Sequence, residues 1–222
     1  MHFFKDVREI WHGKNVYRLL MNIESSHYTI HGKTIDIGSG TKLASYHRYL
    51  KKDVVVTVEC LNFGVASEVN GGGKAVNLET DALPYADASC DTVLMFNVLE
   101  HVYNYEWVLS EVSRILKPGG TILGAVPFLV AYHPDPHDYW RYTSETLFTI
   151  FTKIGFKEVI VRPFGKGPFT AAWSQLEPIM PRIFKLIAIP LARSFDSVLV
   201  KFRPRINAAK FPLGHFFIAV KN

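Results

Sequence analysis

The sequence predicts a doubly wound α/β fold: a mostly parallel sheet of seven strands with a helical insertion before the last strand. Two observations support this prediction. Short runs of apolar and β-branched residues alternate with segments of helical periodicity, as in a sheet that helices cover on both faces. Residues 163–212 break this alternation, and we assign them to the insertion. The length suffices for one large domain, so we expect a single domain over residues 1–222.

Seven runs carry the strand signal, because they are apolar, rich in valine and isoleucine, and bounded by turn residues. A helical lead-in over residues 1–32 precedes them, and residues 33–162 form the predicted core. The insertion follows the core, and residues 213–222 contain the last strand. The predicted strands are, in chain order, 33–37 (KTIDI), 53–59 (DVVVTVE), 73–78 (GKAVNL), 91–96 (DTVLMF), 121–126 (TILGAV), 157–162 (KEVIVR) and 214–220 (GHFFIAV).

Three helices are predicted between the strands. The segment 42–52 (KLASYHRYLKK) is the first. The second has apolar residues at helical spacing from Tyr105 onward, and the sequence KPGG stops it, because proline and glycine do not readily continue a helix. The third begins at Thr143 or Ser144, either of which can cap a helix, and it ends at Gly155.

Positive charge is concentrated in the insertion. The whole chain has a net charge of +5 and a pI near 9.1. Residues 163–212 contain eight Lys or Arg against two Asp or Glu, a net charge of +6, beside many apolar residues. The longest uninterrupted apolar run, LIAIPLA, is far too short to span a bilayer. Three alternatives remain: a lid that packs on the domain, an oligomer interface, and an amphipathic surface over 169–205 that contacts membranes peripherally.

Cysteine usage and the N-terminus bear on localisation. Cys60 and Cys90 form neither a CxxC pair nor a metal-binding spacing, so we expect free thiols in a reducing compartment. The N-terminal residues lack the uninterrupted apolar segment of a signal peptide. We expect a cytoplasmic protein, with peripheral contact at the inner face of the membrane as an alternative. Basic residues are not interleaved with aromatic stacking positions, which argues against a nucleic-acid partner.

A nucleotide site is predicted at the carboxyl end of the first strand. In TIDIGSGT, Gly38 and Gly40 permit a tight turn and a close approach of the backbone to a ligand. Glu59 ends the second strand, where a carboxylate can bind both ribose hydroxyls. Leu43 stands where the dinucleotide fingerprint requires glycine or alanine, so an NAD(P)-linked enzyme is the weaker alternative.

Successive motifs of the chain resemble those of class I S-adenosylmethionine-dependent methyltransferases. They are TIDIGSGT, VVTVE, NLETDALPYADASCDTVLMFNVLEHV and EVSRILKPGGTILGAVP, and the resemblance covers residues 33–160. It is strongest to the branch in which an LPF motif precedes LEH and LKPGG, although Tyr85 and Cys90 stand where that branch favours phenylalanine. The resemblance implies a Rossmann-like sheet, S-adenosyl-L-methionine as cofactor, and methyl transfer. A non-catalytic protein that retains the cofactor pocket is the alternative.

The same resemblance implies contacts to the cofactor. Asp36 would lie near the ammonium group of the methionine moiety, and Glu59 would bind the ribose hydroxyls. The family usually has aspartate where this chain has Asn77, whose amide oxygen can still accept a hydrogen bond from the adenine amino group. The implied contacts of the methionine moiety are Asp36, Gly38, Ser39, Gly40, Asn97, Leu99, Glu100 and His101. Those of the ribose and adenine are Glu59, Cys60, Leu61, Asn77 and Leu78.

The stretch HPDPHDYWRYT (133–143) follows the fifth strand and would border the transferable methyl group. As a structural loop it would bury Trp140 and Tyr142 and pair Arg141 with a carboxylate. As a metal site it would require a regular backbone to align its ligands, and its two prolines oppose a helix, so we expect no metal there. The ligands of that site would be His133, Asp135, His137 and Asp138.

The third interpretation of this stretch is catalytic. His133 or His137 would act as the base for a hydroxyl acceptor, with Asp138 as its orienting partner and Tyr139 and Arg141 as acceptor contacts. The pattern H-x-x-P-x-DYWR-[FY]-T also resembles stretches of methyltransferases similar to those of bacterial surface-polysaccharide gene clusters. That resemblance implies a sugar or glycan hydroxyl as acceptor, or another small molecule, and leaves open which histidine acts.

Overall fold

One central sheet with helices on both faces organises the chain in the computed structural model, which describes residues 8–39, 43–61 and 76–222. The strands are β1 (Thr29–Ile37), β2 (Lys51–Leu61), β3 (Cys90–Phe96), β4 (Leu116–Pro127), β5 (Phe156–Gly165) and β6 (Pro212–Lys221). The longer helices are α1 (Val16–Ser25), α2 (Tyr105–Ile115), α3 (Ser144–Ile154), α4 (Pro168–Leu176) and α5 (Arg182–Phe202). Short 3₁₀ turns cover Ser45–Arg48, Leu99–His101 and Glu177–Ile179.

The strand order across the sheet is β2-β1-β3-β4-β6-β5. Strands β2, β1, β3 and β4 run parallel, whereas β6 is antiparallel to both of its neighbours, β4 and β5. Among the described residues the sheet is therefore six-stranded and mixed, and the prediction of seven mostly parallel strands was wrong. The insertion returns the chain to the end of the sheet at which β5 leaves it, so β6 pairs with β5 without a crossover.

Two other predicted elements differ in the structure. The predicted strand 73–78 lies partly outside the described residues; Val76 forms only an isolated β-bridge, and Asn77 and Leu78 belong to a turn. The predicted helix 42–52 is wrong in its described part. A 3₁₀ turn, Ser45–Arg48, replaces it, and β2 begins at Lys51. Tertiary contacts of the turn residues, described below, override the helical propensity of this segment.

The apolar strands are explained by two core layers, one on each face of the sheet. Because side chains alternate along a strand, Val93 and Met95 of β3 face the layer under α2 and α3. Leu94 and Phe96 face the opposite layer, under α1 and the insertion. All four side chains are buried, which accounts for the continuous apolar run DTVLMF.

The predicted ends of two helices are confirmed. Helix α2 ends at Ile115, one residue before KPGG. The hydroxyl of Thr143 caps α3 by accepting a hydrogen bond from the Thr146 N–H at 3.2 Å. Gly155 ends α3 with φ +99°, a left-handed conformation that favours glycine.

Two buried carboxylates hold the insertion in place: Asp196 connects its two helices, and Glu177 connects it to α1. Asp196 of α5 accepts hydrogen bonds from the Phe169 and Thr170 N–H groups at 2.9 and 2.8 Å, and thereby caps the N-terminus of α4. Glu177 accepts a hydrogen bond from the Val16 N–H, the first residue of α1, at 2.9 Å. It also lies 3.1 Å from the Lys185 ammonium. The predicted helical insertion thus packs on the lead-in helix. None of the described helices is long and apolar enough to cross a membrane.

The two cysteines should differ sharply in reactivity. Cys60 is exposed, whereas Cys90 is buried, and burial with the neighbouring Asp91 carboxylate raises the pKa of its thiol to about 11. At pH 8 the native protein should release one equivalent of chromophore quickly from Ellman's reagent, and two equivalents after denaturation. Cys60→Ser should abolish the fast phase and Cys90→Ser should keep it. Two fast equivalents in the native protein would contradict the burial of Cys90.

Candidate functional site

The carboxyl ends of β1 and β3 form one edge of the sheet, where open α/β sheets bind ligands. The chain leaves β1 at Gly38 with φ +87°, and the Gly38 N–H donates to the Leu61 carbonyl at 2.9 Å. It leaves β3 at Asn97 with φ +54°, and the Asn97 N–H donates to the Ala125 carbonyl at 2.8 Å. A left-handed backbone at a non-glycine residue is uncommon and marks Asn97 as a constrained position.

Asp36 is fully buried beside this edge, and two side chains of the 3₁₀ turn bind its carboxylate. The Tyr46 hydroxyl lies 2.8 and 2.9 Å from its two oxygens, and His47 Nε2 makes a short contact to Oδ2. Burial raises the pKa of Asp36, and the hydrogen bonds from His47 and Tyr46 moderate that rise. These partners compete with the ammonium group predicted for Asp36, and that role stays a prediction.

The other residues predicted around the methionine and ribose are partly open. The Ser39 hydroxyl is buried without a hydrogen-bond partner among the described residues, and Gly40 lies outside them. Glu59 is half exposed on β2, with the Lys33 ammonium 3.3 Å from its carboxylate. Cys60 beside it is exposed. If Glu59 binds the ribose hydroxyls as predicted, its exposed ion pair with Lys33 has to break or rearrange.

The residues predicted at the adenine have structural roles in the fold. The Asn77 amide oxygen accepts a hydrogen bond from the Glu79 N–H at 2.9 Å, which stabilises a turn. Leu78 is buried in the core layer under α2 and α3, as is Leu61. The adenine contacts stay predictions.

Sequence reasoning missed two residues of α1 that reach the site. The Tyr17 hydroxyl lies 2.5 Å from the Asn97 side-chain amide. When the amide nitrogen faces Tyr17, the amide oxygen accepts from the Arg18 guanidinium at 3.2 and 3.3 Å. The only sequence signal was the amphipathic pattern of the lead-in, which predicts a packed helix and no specific partner.

Glu100 is the most unusual residue of the site. It follows β3 in the 3₁₀ turn Leu99–His101, it is fully buried, and neither carboxylate oxygen has a hydrogen-bond partner among the described residues. Burial raises the pKa of Glu100 to about 8, and Arg141 counteracts this rise. Leu99 beside it belongs to the core, so only the next two residues of LEH carry polar chemistry.

Two histidines face the Glu100 carboxylate. His101 Nε2 lies 3.7 Å from Oε1, and His133 Nε2 lies 3.9 Å from the same oxygen. The other ring nitrogen of each histidine contacts a backbone carbonyl: His101 Nδ1 lies 2.5 Å from the His137 oxygen, and His133 Nδ1 lies 2.9 Å from the Ala131 oxygen.

Asp138 orients the loop around His133. Its carboxylate binds the Arg141 guanidinium in a bidentate pair at 2.5 and 2.7 Å. It also accepts from the His133 N–H at 2.9 Å and lies 3.4 Å from His133 Nδ1. Arg141 holds the pKa of Asp138 at about 2, well below its usual value. The Asp138–Arg141 pairing expected of a structural loop is present, and Asp138 is also next to His133 as the catalytic interpretation requires.

The loop is bound directly to the turn that carries Glu100. The Glu100 carbonyl accepts hydrogen bonds from the Tyr139 and Trp140 N–H groups at 2.7 and 3.3 Å. The Tyr142 hydroxyl donates to the Leu99 carbonyl at 3.2 Å, and Tyr142 is buried in the core. The stretch 133–143 therefore meets the end of β3, as its position after the fifth predicted strand suggested.

His137 is placed differently from His133. Its ring is exposed and stacks on Tyr139, with the ring centroids 5.0 Å apart. Tyr139 is itself half exposed and contacts the Tyr103 ring. Of the two candidate bases, the structure brings only the ring of His133 to Glu100 and Asp138.

A small cavity adjoins the site between the lead-in helix and the insertion. It has a volume of about 200 Å³ and is lined by Tyr17, Leu129, Ala131, Glu177 and Lys185, among others. Tyr17 connects it to Asn97, and Ala131 lies two residues before His133. A small acceptor in this cavity would lie between α1 and the loop.

Comparison with known proteins finds methyltransferases among the relatives of this chain. Residues 35–124 match the family model described as a methyltransferase domain. Over 52 residues the chain is 40% identical to a probable S-adenosylmethionine-dependent methyltransferase of Mycolicibacterium smegmatis, which is 23% of this chain and 20% of that protein. A similar protein of Mycobacterium tuberculosis is 26% identical over 92 residues, 39% of this chain and 34% of its own length. The chain thus spans well under half the length of these relatives.

Solved structures share the fold at low sequence identity. An S-adenosylmethionine-dependent methyltransferase of Mesorhizobium loti superposes with a TM-score of 0.51 and 14% identity, over 90% of this chain and 95% of the other. The [4+2]-cyclase SpnF superposes with the same TM-score of 0.51 and 16% identity, over 92% and 80%. These two neighbours have different reactions, so the fold alone does not determine the chemistry.

Proposed function

We propose that this chain, whose residues 35–124 match the family model of a methyltransferase domain, is a class I S-adenosylmethionine-dependent methyltransferase that transfers a methyl group to a hydroxyl of a sugar, glycan or other small acceptor. The observation that carries the acceptor side of this proposal is the binding of the loop 133–143 to the Leu99–His101 turn. These hydrogen bonds join the stretch expected near the methyl group to the turn that follows β3.

The residues at the carboxyl edge fit the cofactor. The Ser39 hydroxyl is buried near the Asp36 carboxylate, at the place proposed for the methionine moiety, and the left-handed Gly38 permits a close approach of the backbone to a ligand there. Glu59 offers an exposed carboxylate for the proposed contact to the ribose hydroxyls. When bound, S-adenosyl-L-methionine supplies an electrophilic methyl group on a sulfonium centre. The protein aligns the acceptor with that group and removes the hydroxyl proton.

His133 is the residue that we propose at the acceptor hydroxyl, with Asp138 as its positioning partner. The preference over His137 rests on placement, because the ring of His137 stacks on exposed Tyr139 and has no carboxylate beside it among the described residues. Tyr139 and Arg141 remain proposed acceptor contacts, although Arg141 also has to hold Asp138. The pattern of the stretch favours a carbohydrate acceptor by resemblance alone.

We further propose that α5 contacts an anionic membrane surface, which would suit an acceptor carried on a lipid. Large apolar side chains along one side of α5 are exposed, spaced three or four residues apart. They are Phe184, Ile187, Leu191, Phe195, Val198 and Phe202. Both carboxylates of the insertion, Glu177 and Asp196, are buried, so its exposed charges are lysines and arginines. An apolar face with only positive charges around it complements anionic lipid.

Cofactor binding should depend on Glu59. Calorimetry should detect S-adenosyl-L-methionine binding at micromolar concentrations, and Glu59→Gln should weaken it about tenfold or more, because a charged acceptor of the ribose hydroxyls is lost. Glu106→Gln removes an exposed carboxylate from α2 and serves as the matched control with unchanged affinity. Clear binding of NAD with no heat from S-adenosyl-L-methionine would contradict the proposal.

Substitution of His133 should reduce the turnover rate much more than substitution of His137. With a panel of glycan and small hydroxyl acceptors, His133→Ala should reduce release of S-adenosylhomocysteine by roughly 10²–10⁴-fold while cofactor affinity stays unchanged. His137→Ala should reduce the release of S-adenosylhomocysteine far less. Full activity of His133→Ala on a methylated acceptor would exclude His133 from the reaction.

Membrane contact should require the apolar face of α5. The double variant Ile187→Asn/Phe195→Asn should no longer float with phosphatidylcholine vesicles that contain phosphatidylglycerol, whereas Phe148→Asn, at an exposed apolar position of α3, should float like the wild type. Salt should weaken flotation. If the fraction of protein that floats does not change with the anionic lipid content of the vesicles, the proposal is wrong. A lower sedimentation coefficient of the double variant without vesicles, with no flotation of the wild type, would instead assign the face to an oligomer.

A further inference from the structure

Three side chains converge on one point beside the sheet edge. Each of Glu100, His101 and His133 offers a ligand atom there, and the three atoms lie within 4.8 Å of one another. Glu100 is fully buried with both oxygens unpartnered among the described residues. The side chain of His101 is almost fully buried, and that of His133 is partly exposed.

The hydrogen bonds of the two histidine rings determine which ring nitrogen carries the proton and which one faces Glu100 with a lone pair. His101 Nδ1 faces the His137 carbonyl, and His133 Nδ1 faces the Ala131 carbonyl. A carbonyl only accepts, so each ring carries its proton on Nδ1. The neutral ring then directs the lone pair of Nε2 toward Glu100. A histidine whose second nitrogen is fixed in this way by a backbone carbonyl is typical of metal sites.

When Glu100 is ionised, the cluster is a set of acceptors without a donor. Protonation of the rings would not satisfy Glu100, because the distances of 3.7 and 3.9 Å from Nε2 to its oxygen exceed a hydrogen bond. The nearest arginine of the loop, Arg141, is engaged in its bidentate pair with Asp138. A carboxylate buried in this way lacks the compensation that buried charges require, and a cation would supply it.

We propose that Glu100, His101 and His133 form a binding site for a divalent transition-metal ion of the zinc type. Two imidazole nitrogens and one carboxylate suit zinc and its first-row neighbours, whereas magnesium and calcium prefer sites made of oxygen alone. Ligand atoms around tetrahedral zinc are about 3.4 Å apart, given metal–ligand distances near 2.1 Å. The distances from Glu100 Oε1 to the two ring nitrogens, 3.7 and 3.9 Å, require an approach of about half an ångström or less, and the largest separation in the cluster, at most 4.8 Å, requires up to about 1.4 Å. Side-chain rotation on metal binding would have to provide this approach.

This set of ligands differs from the one that the stretch 133–143 alone suggested. Asp138 is held by Arg141, and the ring of His137 stacks away on Tyr139, so only His133 of that stretch takes part. Three protein ligands leave a coordination position open, as in catalytic zinc sites. A role for this open position in catalysis rests on the proposed function. The ion would orient the acceptor hydroxyl there and lower the pKa of that hydroxyl, and His133 would act as a metal ligand instead of as a free base.

The test is a titration of the tag-free, chelator-treated protein with Co²⁺, followed by visible absorption, and competition by Zn²⁺. We expect one Co²⁺ per chain, with bands of four- or five-coordinate cobalt that Zn²⁺ abolishes. Glu100→Gln and His133→Ala should each weaken Co²⁺ binding at least tenfold. His27→Ala, at an exposed histidine outside the cluster, is the matched control and should bind like the wild type.

Each outcome decides the inference. Absent cobalt bands, or equal affinity in the wild type and both cluster variants, would overturn it. Circular dichroism verifies that Glu100→Gln folds, and His133→Ala, which changes a partly exposed loop side chain, carries the test if it does not. Cobalt bound by the cluster in a protein that transfers no methyl group would support the site and reject the proposed function. Methyl transfer that survives chelation without cobalt binding would do the reverse.

Discussion

A carboxylate removed from water must receive partners from the protein, and four such carboxylates organise this chain. Asp36 binds the 3₁₀ turn after β1, Asp196 caps α4, and Glu177 joins the insertion to α1. Each is satisfied by groups that are distant in sequence, and each thereby fixes a segment that secondary-structure propensity leaves free. Glu100 is the exception: it is equally buried, and the described residues give its oxygens no hydrogen bond. The first three hold segments of the fold together, and the fourth lies at the site that we propose for a metal ion.

Sequence signals that act on neighbouring residues correctly predicted the helix ends and the buried strand β3. The helix stop at KPGG, the cap at Thr143 and the apolar run 91–96 are confirmed, because capping, chain termination and burial on both faces act on neighbouring residues. The direction of the last strand and the fate of 42–52 depend on long-range pairing. Helical spacing in 42–52 did not reveal that two of its side chains would bind a buried aspartate, and this contact decides the conformation of the turn.

In the candidate site too, the sequence predicted the segments that take part, whereas the choice of individual side chains depends on long-range packing. The sequence placed the motif at the end of β1 and the LEH segment at the methionine moiety, and the loop after β4 beside the methyl group, since the carboxyl ends of parallel strands lie at one edge of a sheet. The sequence could not choose between His133 and His137, because the choice depends on which ring a backbone carbonyl orients toward Glu100. Nor could it find Tyr17, whose contact to Asn97 arises from packing of the lead-in helix across the sheet.

Glu177 ties together two parts of the chain that are more than 150 residues apart in sequence. One oxygen holds the first N–H of α1, and the other lies beside Lys185 at the start of α5. Because α1 carries Tyr17 to Asn97, the insertion and the sheet edge share one rigid linkage. Lys185, Glu177, α1 and Asn97 thus form a continuous chain of contacts that connects the exposed helix α5 to the end of β3.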